Sequence, residues 1–315
     1  MKTINEIRIM TGGPEYDKAF WNAMKTKGND YDAVLNEGLF TSTSSYFFPN
    51  YEDGKFKELL KKYGVIRSLA SGFERYKGGV DLLSANSTDY AEFISEGGSV
   101  PGFNVKDDFE KITVKINTLA AMLKMPVEFA YDAQFDLKKY LIERMAKTFA
   151  RAEDKAFITG TGEDEPVGIL DDTAGADTGV TVNAITFDSI IDLFFSVDKD
   201  FRKNGVWIMN DKTALTLRKL KDDDGNHLWN HANDTILGKP VYITNEMPDA
   251  DAGEKPVAFG DLSYYWIIDR SPASIQPLNE LFALNGQIGY IGYELLDGKL
   301  IRSDAVKVLK VEAEE

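Results

Sequence analysis

Apolar side chains recur at the three- and four-residue spacing of one helix face most clearly in residues 136–159. The stripe consists of Leu141, Met145, Phe149, Ala152 and Ala156. Asp136 is a suitable N-cap, and Gly160 follows the last helical position as a C-cap does. The pattern predicts one long helix, here called the spine helix, which would extend for ~36 Å at 1.5 Å per residue.

Two shorter helices are predicted before the spine helix, and each ends at a glycine. Their apolar faces consist of Tyr16, Ala19, Phe20 and Met24 in the first helix and of Phe56, Leu59 and Leu60 in the second. The first helix covers residues 14–28 and the second ends at Gly64, where VIRSLAS follows as a predicted strand. The polar, turn-rich segment between the helices finishes in the aromatic cluster 46–48, and it predicts an arm without a core of its own.

Residues 90–118 predict a long β-hairpin with a polar tip. Its second strand alternates Ile112, Val114 and Ile116 with the polar residues Lys111, Thr113, Lys115 and Asn117. An extended stretch that Gly97, Gly98 and Pro101 interrupt supplies the first strand. Because a two-stranded hairpin is only marginally stable in water, we expect another subunit to support it.

The C-terminal half predicts a mixed α/β region. Thr186 caps a helix with Phe187, Ile190, Ile191, Phe194 and Phe201 on its buried side, and NDKTALTLRKLK forms another helix. The predicted strands are VWIM, KPVYIT, PVAFGDL and YYWIIDR. Asp297 and Gly298 predict a hairpin turn, and AVKVLKV predicts a closing strand.

Composition excludes several classes of protein. The 315 residues suffice for about two domains. A net charge of -15 disfavours binding of nucleic acid or an anionic membrane by the chain as a whole. The absence of cysteine excludes disulfides, thiolate nucleophiles and Cys-ligated zinc. No apolar stretch approaches the ~20 residues of a membrane span, and the N-terminus lacks a signal peptide's apolar core.

The glycine-rich segment 160–168 resembles a phosphate-binding loop only superficially. A dinucleotide fingerprint would need glycine at position 165, where the chain has glutamate, and no Gly-Lys-Ser or Gly-Lys-Thr occurs. The segment follows a helix, and its acidic residues would repel a phosphate. We interpret it as a turn that ends the spine helix, with Asp154, Gly160, Gly162, Pro166 and Gly168 fixing the reversal.

The sequence predicts no catalytic, cofactor or metal site. His227 and His231 have the spacing of a metal-binding pair on a helix, but Leu228 stands where a zincin has glutamate. KDDDGNH departs from a calcium loop because His227 occupies the required glycine position. Solvated loop histidines are the simpler interpretation, and a metal-dependent α+β enzyme using this pair remains the alternative from a different class.

Several stretches, taken in order, resemble the major capsid proteins of tailed bacteriophages with the Hong Kong 97 fold. They are EYDKAFWNAMKTKG, YFFPNYEDGKFKELLKKYGVIRSLAS, EFISEGGSVP with FEKITVKINTLAAMLKMPVEF, DAQFDLKKYLIERMAKTFARAEDKAFITGTGEDEPVGIL, LKDDDGNHLWN with ILGKPVYITNEMP, and GYELLDGKLIRSDAVKVL. The spine segment with its Pro-x-Gly-Ile-Leu turn is the most specific. An encapsulin-type nanocompartment shell shares the fold and is the nearer alternative.

The resemblance implies an α+β fold in four parts. These are an N-terminal arm and the helix after it (1–72), a peripheral domain (73–185) with the extended hairpin and spine helix, an axial α/β domain (186–275), and C-terminal strands (276–315) that return to both sheets. Few residues precede the arm helix, so we expect a mature or truncated chain, or a separate scaffold.

The resemblance also implies function and partners. Copies would form hexamers and pentamers that close an icosahedral shell around phage double-stranded DNA, without sequence-specific binding of the genome or contact with a membrane. Expected partners are a scaffold, a portal and a maturation protease, and the expected locations are the virion capsid and, during assembly, the host cytoplasm. The predicted assembly contacts are Phe20, Trp21, Phe47, Phe48, Phe103, Lys106, Lys111 and Lys115.

Overall fold

The computed structural model describes residues 4–25, 39–40, 45–74, 81–85, 93, 109–132, 134–221, 225, 227, 229–230 and 233–312. Within these residues both helices and strands are abundant, as the predicted α+β class requires. No helix in this part of the chain is long and apolar enough to cross a membrane.

The helices are α1 (Ile4–Thr11), α2 (Pro14–Lys25), α3 (Asn50–Tyr63), α4 (Val65–Leu69), α5 (Val127–Tyr131), α6 (Leu137–Thr159), α7 (Phe187–Ser196), α8 (Lys199–Arg202) and α9 (Asp211–Lys219). Short 3-10 helices cover Leu262–Tyr264 and Ala283–Asn285. The strands are β1 (Leu39–Phe40), β2 (Ser45–Phe47), β3 (Ser71–Glu74), β4 (Asp81–Ala85), β5 (Phe109–Thr113), β6 (Asn117–Pro126), β7 (Asp177–Val182), β8 (Val206–Met209), β9 (Trp229–Asn230), β10 (Thr235–Ile236), β11 (Lys239–Ile243), β12 (Val257–Gly260), β13 (Tyr265–Asp269), β14 (Ser274–Leu278), β15 (Gln287–Leu300) and β16 (Val306–Val311).

The predicted spine helix is α6, and its predicted caps are confirmed. The Asp136 carboxylate accepts a hydrogen bond from the backbone N–H of Lys139 at 3.0 Å, and Gly160 is the C-cap. The buried stripe runs through Phe149 as predicted, but it continues through Glu153 and Phe157. Residues 152 and 156 are only half-buried. Steps of four residues from Phe149 lead to Glu153 and Phe157, and these two therefore share the buried face.

The first sheet supports the spine helix. Its strand order is β1-β2-β14-β15-β13-β3, and β6 lies off this path and pairs with β15 as well. Helix α3 packs beside α6, where the rings of Phe56 and Phe149 lie 5.8 Å apart. The core between these helices and the sheet also contains Tyr290 and Ile288 from β15. Strand β15 therefore pairs with other strands of the sheet and also packs against the helix layer.

The second sheet has the order β7-β16-β12-β8-β11-β10-β9. Its core includes Trp207 and Phe259, whose ring centroids lie 4.2 Å apart. Helix α7 adds Ile190 to this core, and α9 adds Leu217. Thr186 and Asn210 cap α7 and α9, so the predicted helix starts are confirmed here as well.

A third cluster joins the two sheets at the C-terminal end of the spine helix. Phe157 of α6 packs on Tyr265 of β13 with ring centroids 5.5 Å apart. Ile208 and Val308 of the second sheet belong to the same cluster. The end of α6 is therefore the place where both sheets and the glycine-rich turn meet.

Two predictions about local structure are wrong, and a third, the first strand of the hairpin, falls on residues that the structure does not describe. Residues 65–69 form helix α4 instead of a strand, and strand β3 begins only at Ser71. Asp297 and Gly298 lie inside β15 instead of at a hairpin turn, because β13 pairs across them. The first strand of the hairpin is β4, which pairs with β5 from Asp81–Thr113 to Ala85–Phe109. The stretch predicted for that strand, 90–108, lies outside the described residues apart from Phe93.

Sheet membership bears on the predicted domain boundaries. Strand β13 falls within the predicted axial range 186–275 and β14 begins at its end, but both pair with β15 in the first sheet. Strand β7 lies before that range and pairs with β16 in the second sheet. The C-terminal strands return to both sheets, β15 to the first and β16 to the second.

Candidate functional site

The glycine-rich segment ends the spine helix by folding back along its last turn. The backbone N–H groups of Gly168, Ile169 and Leu170 donate to the carbonyl oxygens of Gly160, Phe157 and Ile158 at 2.8, 2.8 and 2.9 Å. These bonds satisfy carbonyls that a helix C-terminus otherwise leaves without partners. The segment is therefore a helix-terminating reversal, as its sequence predicts.

Two positions of this turn require glycine, each for a different conformational reason. Gly162 has a φ of 78°, in the left-handed region. At Gly168 a Cβ would lie 2.5 Å from the carbonyl oxygen of Ile158, so only glycine allows the returning chain so close to the helix. Pro166 is buried beside them. A phosphate would meet helix carbonyls and the Glu165 carboxylate at this end, where repulsion is expected.

Asp154 has a different role from the one predicted. Its carboxylate oxygens accept hydrogen bonds from the backbone N–H groups of Val65 and Ile66, each at 2.9 Å. Burial raises the pKa of Asp154, and these two hydrogen bonds oppose the rise. Asp154 therefore attaches the first turn of α4 to the spine helix and takes no part in the glycine-rich reversal.

Next to Asp154 lies a fully buried ionic cluster, here called the Arg67 cluster. It consists of Arg67 from α4, Glu153 from α6, Asp269 from β13 and Glu294 from β15. The Arg67 guanidinium donates from Nε and Nη2 to Glu153 at 2.7 and 2.5 Å, and from Nη1 to both Asp269 oxygens at 3.1 and 3.2 Å. Burial acts to lower the pKa of Arg67, but the surrounding carboxylates raise it well above its usual value.

Sequence reasoning missed this cluster, although part of it has a signal. Glu153 stands four residues from Phe149 and four from Phe157, so it occupies a buried position of the stripe. A charged residue there needs a buried partner. Identifying Arg67 as that partner required contacts between residues 86 positions apart.

The aromatic residues predicted as assembly contacts lie inside the subunit's own core. Phe20, Trp21, Phe47 and Phe48 are all buried. Phe20 packs against Phe48 with ring centroids 5.8 Å apart, and Tyr16 donates its hydroxyl to the Phe47 carbonyl at 2.8 Å. Helix α2 therefore packs its apolar face within its own chain. This corrects the prediction for the four aromatic side chains.

The predicted lysine contacts divide between described and undescribed residues. Lys115 donates from Nζ to the carbonyl oxygen of Gly162 at 2.6 Å, so it holds the base of the hairpin to the glycine-rich turn. Its backbone N–H donates to Asp297 at 2.6 Å. Lys106 and Phe103 lie outside the described residues, and for Lys111 only the backbone position in β5 is described. These three remain predictions.

The structure describes one residue of the histidine pair, and that residue is not in a helix. His227 forms an isolated β-bridge with Lys221 and is exposed, while His231 lies outside the described residues. Strand β9 occupies residues 229–230 between them. Among the described residues, no group of three or more histidine, aspartate or glutamate side chains could hold a metal ion.

The outer face of the first sheet carries exposed apolar side chains. Residues 119, 121, 123 and 125 of β6 pack towards the core under α6, whereas Met122 points outward with 47% of its surface exposed. Met122 lies opposite Ile291 of β15. Nearby, Phe282 lies under the Lys124 ammonium, 4.3 Å from its ring centroid, and Leu284 is fully exposed. We call Met122, Ile291, Phe282, Leu281 and Leu284 the outer sheet patch.

Strand β6 is also an edge strand within the described part of the chain, because β15 is its one partner there. Beside its start, a groove of about 250 Å³ separates it from α6 and the glycine-rich turn. Ala152, Ala156 and Pro166 line this groove, with Asp164 and Glu165 also in its wall. Edge strands and exposed apolar patches are typical contact surfaces between protein chains.

The described residues form a two-sheet subunit with a spine helix, a separate β4–β5 ribbon and exposed apolar side chains available for contacts with other chains. Residues 45–311 match the Phage capsid family, so the chain belongs to that family. It is a structural major capsid subunit located in the virion capsid, and the resemblance to tailed-phage major capsid proteins is confirmed. None of the curated protein sequences matches the chain.

Solved capsid structures agree with this assignment. The chain is 28% identical to the capsid protein of an empty GTA particle computed with C5 symmetry, with a TM-score of 0.68 over 80% of this chain and 90% of that one. The chain is also 28% identical to the capsid protein of a native GTA particle computed with C5 symmetry, with a TM-score of 0.62 over 79% of this chain and 90% of that one. The Gordonia phage Cozz chain is 16% identical, with a TM-score of 0.57 over 80% and 87%, and shows the shared fold alone.

Proposed function

We propose that copies of this chain form hexamers and pentamers and that these close an icosahedral shell around phage double-stranded DNA. Membership of the Phage capsid family supports the proposal, as does the likeness to capsids computed with C5 symmetry. Each contact between copies can be weak, because many identical contacts hold a closed shell together. The protein acts through assembly and needs no catalytic step.

The observation that carries the proposal is the β4–β5 ribbon. Within the described residues its two strands pair with each other and with neither large sheet. An isolated two-stranded ribbon is marginally stable in water. A neighbouring copy would supply the missing support, and the outer sheet patch offers an apolar surface for contacts between copies. The predicted contacts Phe103, Lys106 and Lys111 belong to this ribbon or to its connecting segment.

The charge of the chain is compatible with a container. At a net charge of -15 the subunit as a whole would repel the phosphate backbone. The shell would therefore enclose the genome without sequence-specific binding. By resemblance, a scaffold segment or protein, a portal and a maturation protease would act with it during assembly in the host cytoplasm.

The first test is the assembly state of the purified chain. Size-exclusion chromatography with light scattering at two salt concentrations, followed by negative-stain microscopy, should show rings of five and six or closed shells. If the chain stays monomeric, adding a scaffold protein from the same phage should restore assembly. A chain that remains a monomer or compact dimer even with scaffold would contradict the proposal.

The second test removes the C-terminal part of the segment that connects the ribbon strands. Deleting residues 97–108 should leave a folded subunit or capsomer but abolish shells. A matched variant replaces the same residues with a Gly/Ser segment of equal length, which keeps the chain connection but removes the side chains. Loss of shells in both variants assigns the role to those side chains. Normal shells from both variants would exclude a role of residues 97–108 in assembly.

A further inference from the structure

The Arg67 cluster contains one cation and three carboxylates, and the cation is fully occupied by two of them. Arg67 uses Nε, Nη1 and Nη2 to bind Glu153 and Asp269, and Nη2 also donates to Asp269 at 3.1 Å. Nη2 lies 3.6 Å from the nearer oxygen of Glu294, beyond hydrogen-bond distance. The other Glu294 oxygen is buried without a hydrogen-bond partner among the described residues.

From this arrangement we propose that Glu294 is protonated in the folded subunit and makes the Arg67 cluster a pH-sensitive joint between the spine helix and β15. The reason is charge balance. One guanidinium between two ionised carboxylates already leaves a net negative charge, and a third ionised carboxylate would be buried without any compensating cation. A neutral Glu294 removes that repulsion and lets the elements close around Arg67.

The other charged groups around Glu294 do not supply the missing cation. Glu153 faces it from α6 and Asp269 from β13, and both are carboxylates. Lys57 of α3 is the remaining cation that acts on it, but its ammonium binds Asp53 at 3.0 Å and Glu74 at 2.6 Å. Lys57 is therefore already shared between two carboxylates of its own.

Titration agrees with the geometry. Burial raises the pKa of Glu294 well above its usual value, and the charge of Glu153 adds to the rise. Burial raises the pKa of Glu153 too, but attraction and hydrogen bonds from Arg67 oppose that rise. Since the Arg67 hydrogen bonds go to Glu153, we assign the proton to Glu294.

The sign of the pH dependence follows from linkage. A folded pKa above the unfolded value means that the folded subunit binds more protons, so stability falls as pH rises between those two values. The contribution is fully present below the unfolded pKa of about 4.3 and is lost as pH rises through the folded pKa. Raising the pH therefore ionises Glu294 and loosens the joint.

The test compares the full-length wild type with Glu294→Gln, a neutral side chain of the same shape. The Tm of Glu294→Gln minus that of wild type should grow by at least about 5 °C between about pH 5 and about pH 9, because the folded wild type keeps its proton to at least neutral pH. Titrating groups outside the Arg67 cluster are the same in both proteins and cancel in the difference. A pH-independent difference would overturn the proposal.

A second measurement does not depend on how the variant folds. In wild type labelled with ¹³C-glutamate, the infrared spectrum at neutral pH should contain the band of a buried protonated carboxyl, and Glu294→Gln should lack it. Absence of the band from wild type would overturn the proposal. As a matched control, Glu153→Gln should lower Tm throughout this pH range, because it weakens the ionised partner of Arg67. If the Tm difference between Glu153→Gln and wild type grew with pH in the way expected for Glu294→Gln, the proton would belong to Glu153 instead.

Discussion

Asp154 on the spine helix accepts a hydrogen bond from the backbone N–H of Ile66 at 2.9 Å, across 88 positions of sequence. Its second oxygen accepts from Val65 at the same distance. The two N–H groups belong to the first turn of α4, where a helix has no internal partners for them. A single carboxylate therefore starts α4 and fixes it to α6.

Replacing Asp154 with alanine should lower the free energy of unfolding by about 1–3 kcal/mol, because two N–H groups lose their acceptor in a partly buried place. Urea unfolding followed by circular dichroism measures the loss. Thr148→Ala, at an exposed position of the same helix, is the matched control and should change stability by about 0.5 kcal/mol or less. Equal effects of the two substitutions would contradict the role given to Asp154.

The same contact explains why the prediction of a strand at residues 65–69 is wrong. The segment VIRSL is short and rich in β-branched residues, so its local preference is extended. The carboxylate that turns it into a helix lies 88–89 positions away, where no local pattern can indicate it. By contrast, the caps and length of the spine helix depend on neighbouring residues, and those predictions are confirmed.

Asp297 and Gly298 show a related limit. The dipeptide is a good hairpin signal, but here it lies in a strand paired with Ile268 and Ile267 of β13. A Cβ at Gly298 would lie 2.7 Å from the Tyr265 hydroxyl and 2.9 Å from the Phe157 ring. Glycine is present because three elements pack closely there, and a tertiary reason of this kind is invisible in the sequence.

A pair of glycine substitutions tests the helix-terminating turn. Gly168→Ala should lower the free energy of unfolding by about 3 kcal/mol, because its Cβ would meet the backbone of Ile158 and Gly160 at 2.5 and 2.6 Å. Gly54→Ala, inside α3 with open space around it, should instead stabilise by about 0.5–1 kcal/mol. Thermal unfolding of both variants checks these opposite signs. A tolerated alanine at 168 would show that the returning chain can move away from the helix.

The buried position of the N-terminal aromatic residues also predicts a stability effect in the unassembled subunit. Phe20→Ala should cost about 3–5 kcal/mol, since Phe20 is fully buried against Phe48. Ile9→Ala is the control, because Ile9 in the neighbouring helix is 81% exposed and should be nearly neutral. Denaturant unfolding of the dissociated subunit makes the comparison. If Phe20→Ala were neutral there and harmful only to assembly, the original assignment of Phe20 as a contact between copies would be restored.

Substitutions in the outer sheet patch should affect assembly and not the stability of the subunit, the opposite of Phe20→Ala. Met122→Lys with Leu284→Lys should leave the stability of the subunit nearly unchanged, because both side chains are already exposed, Leu284 fully. Assembly should weaken strongly, because two charges would be buried without partners wherever this patch contacts another copy. Light scattering of the assembly mixture measures the effect. Met122→Leu with Leu284→Ile keeps the patch apolar and should still assemble. Shells formed normally by the lysine variant would show that this face stays in solvent, and the contacts between copies would then have to come from the ribbon and the groove beside α6.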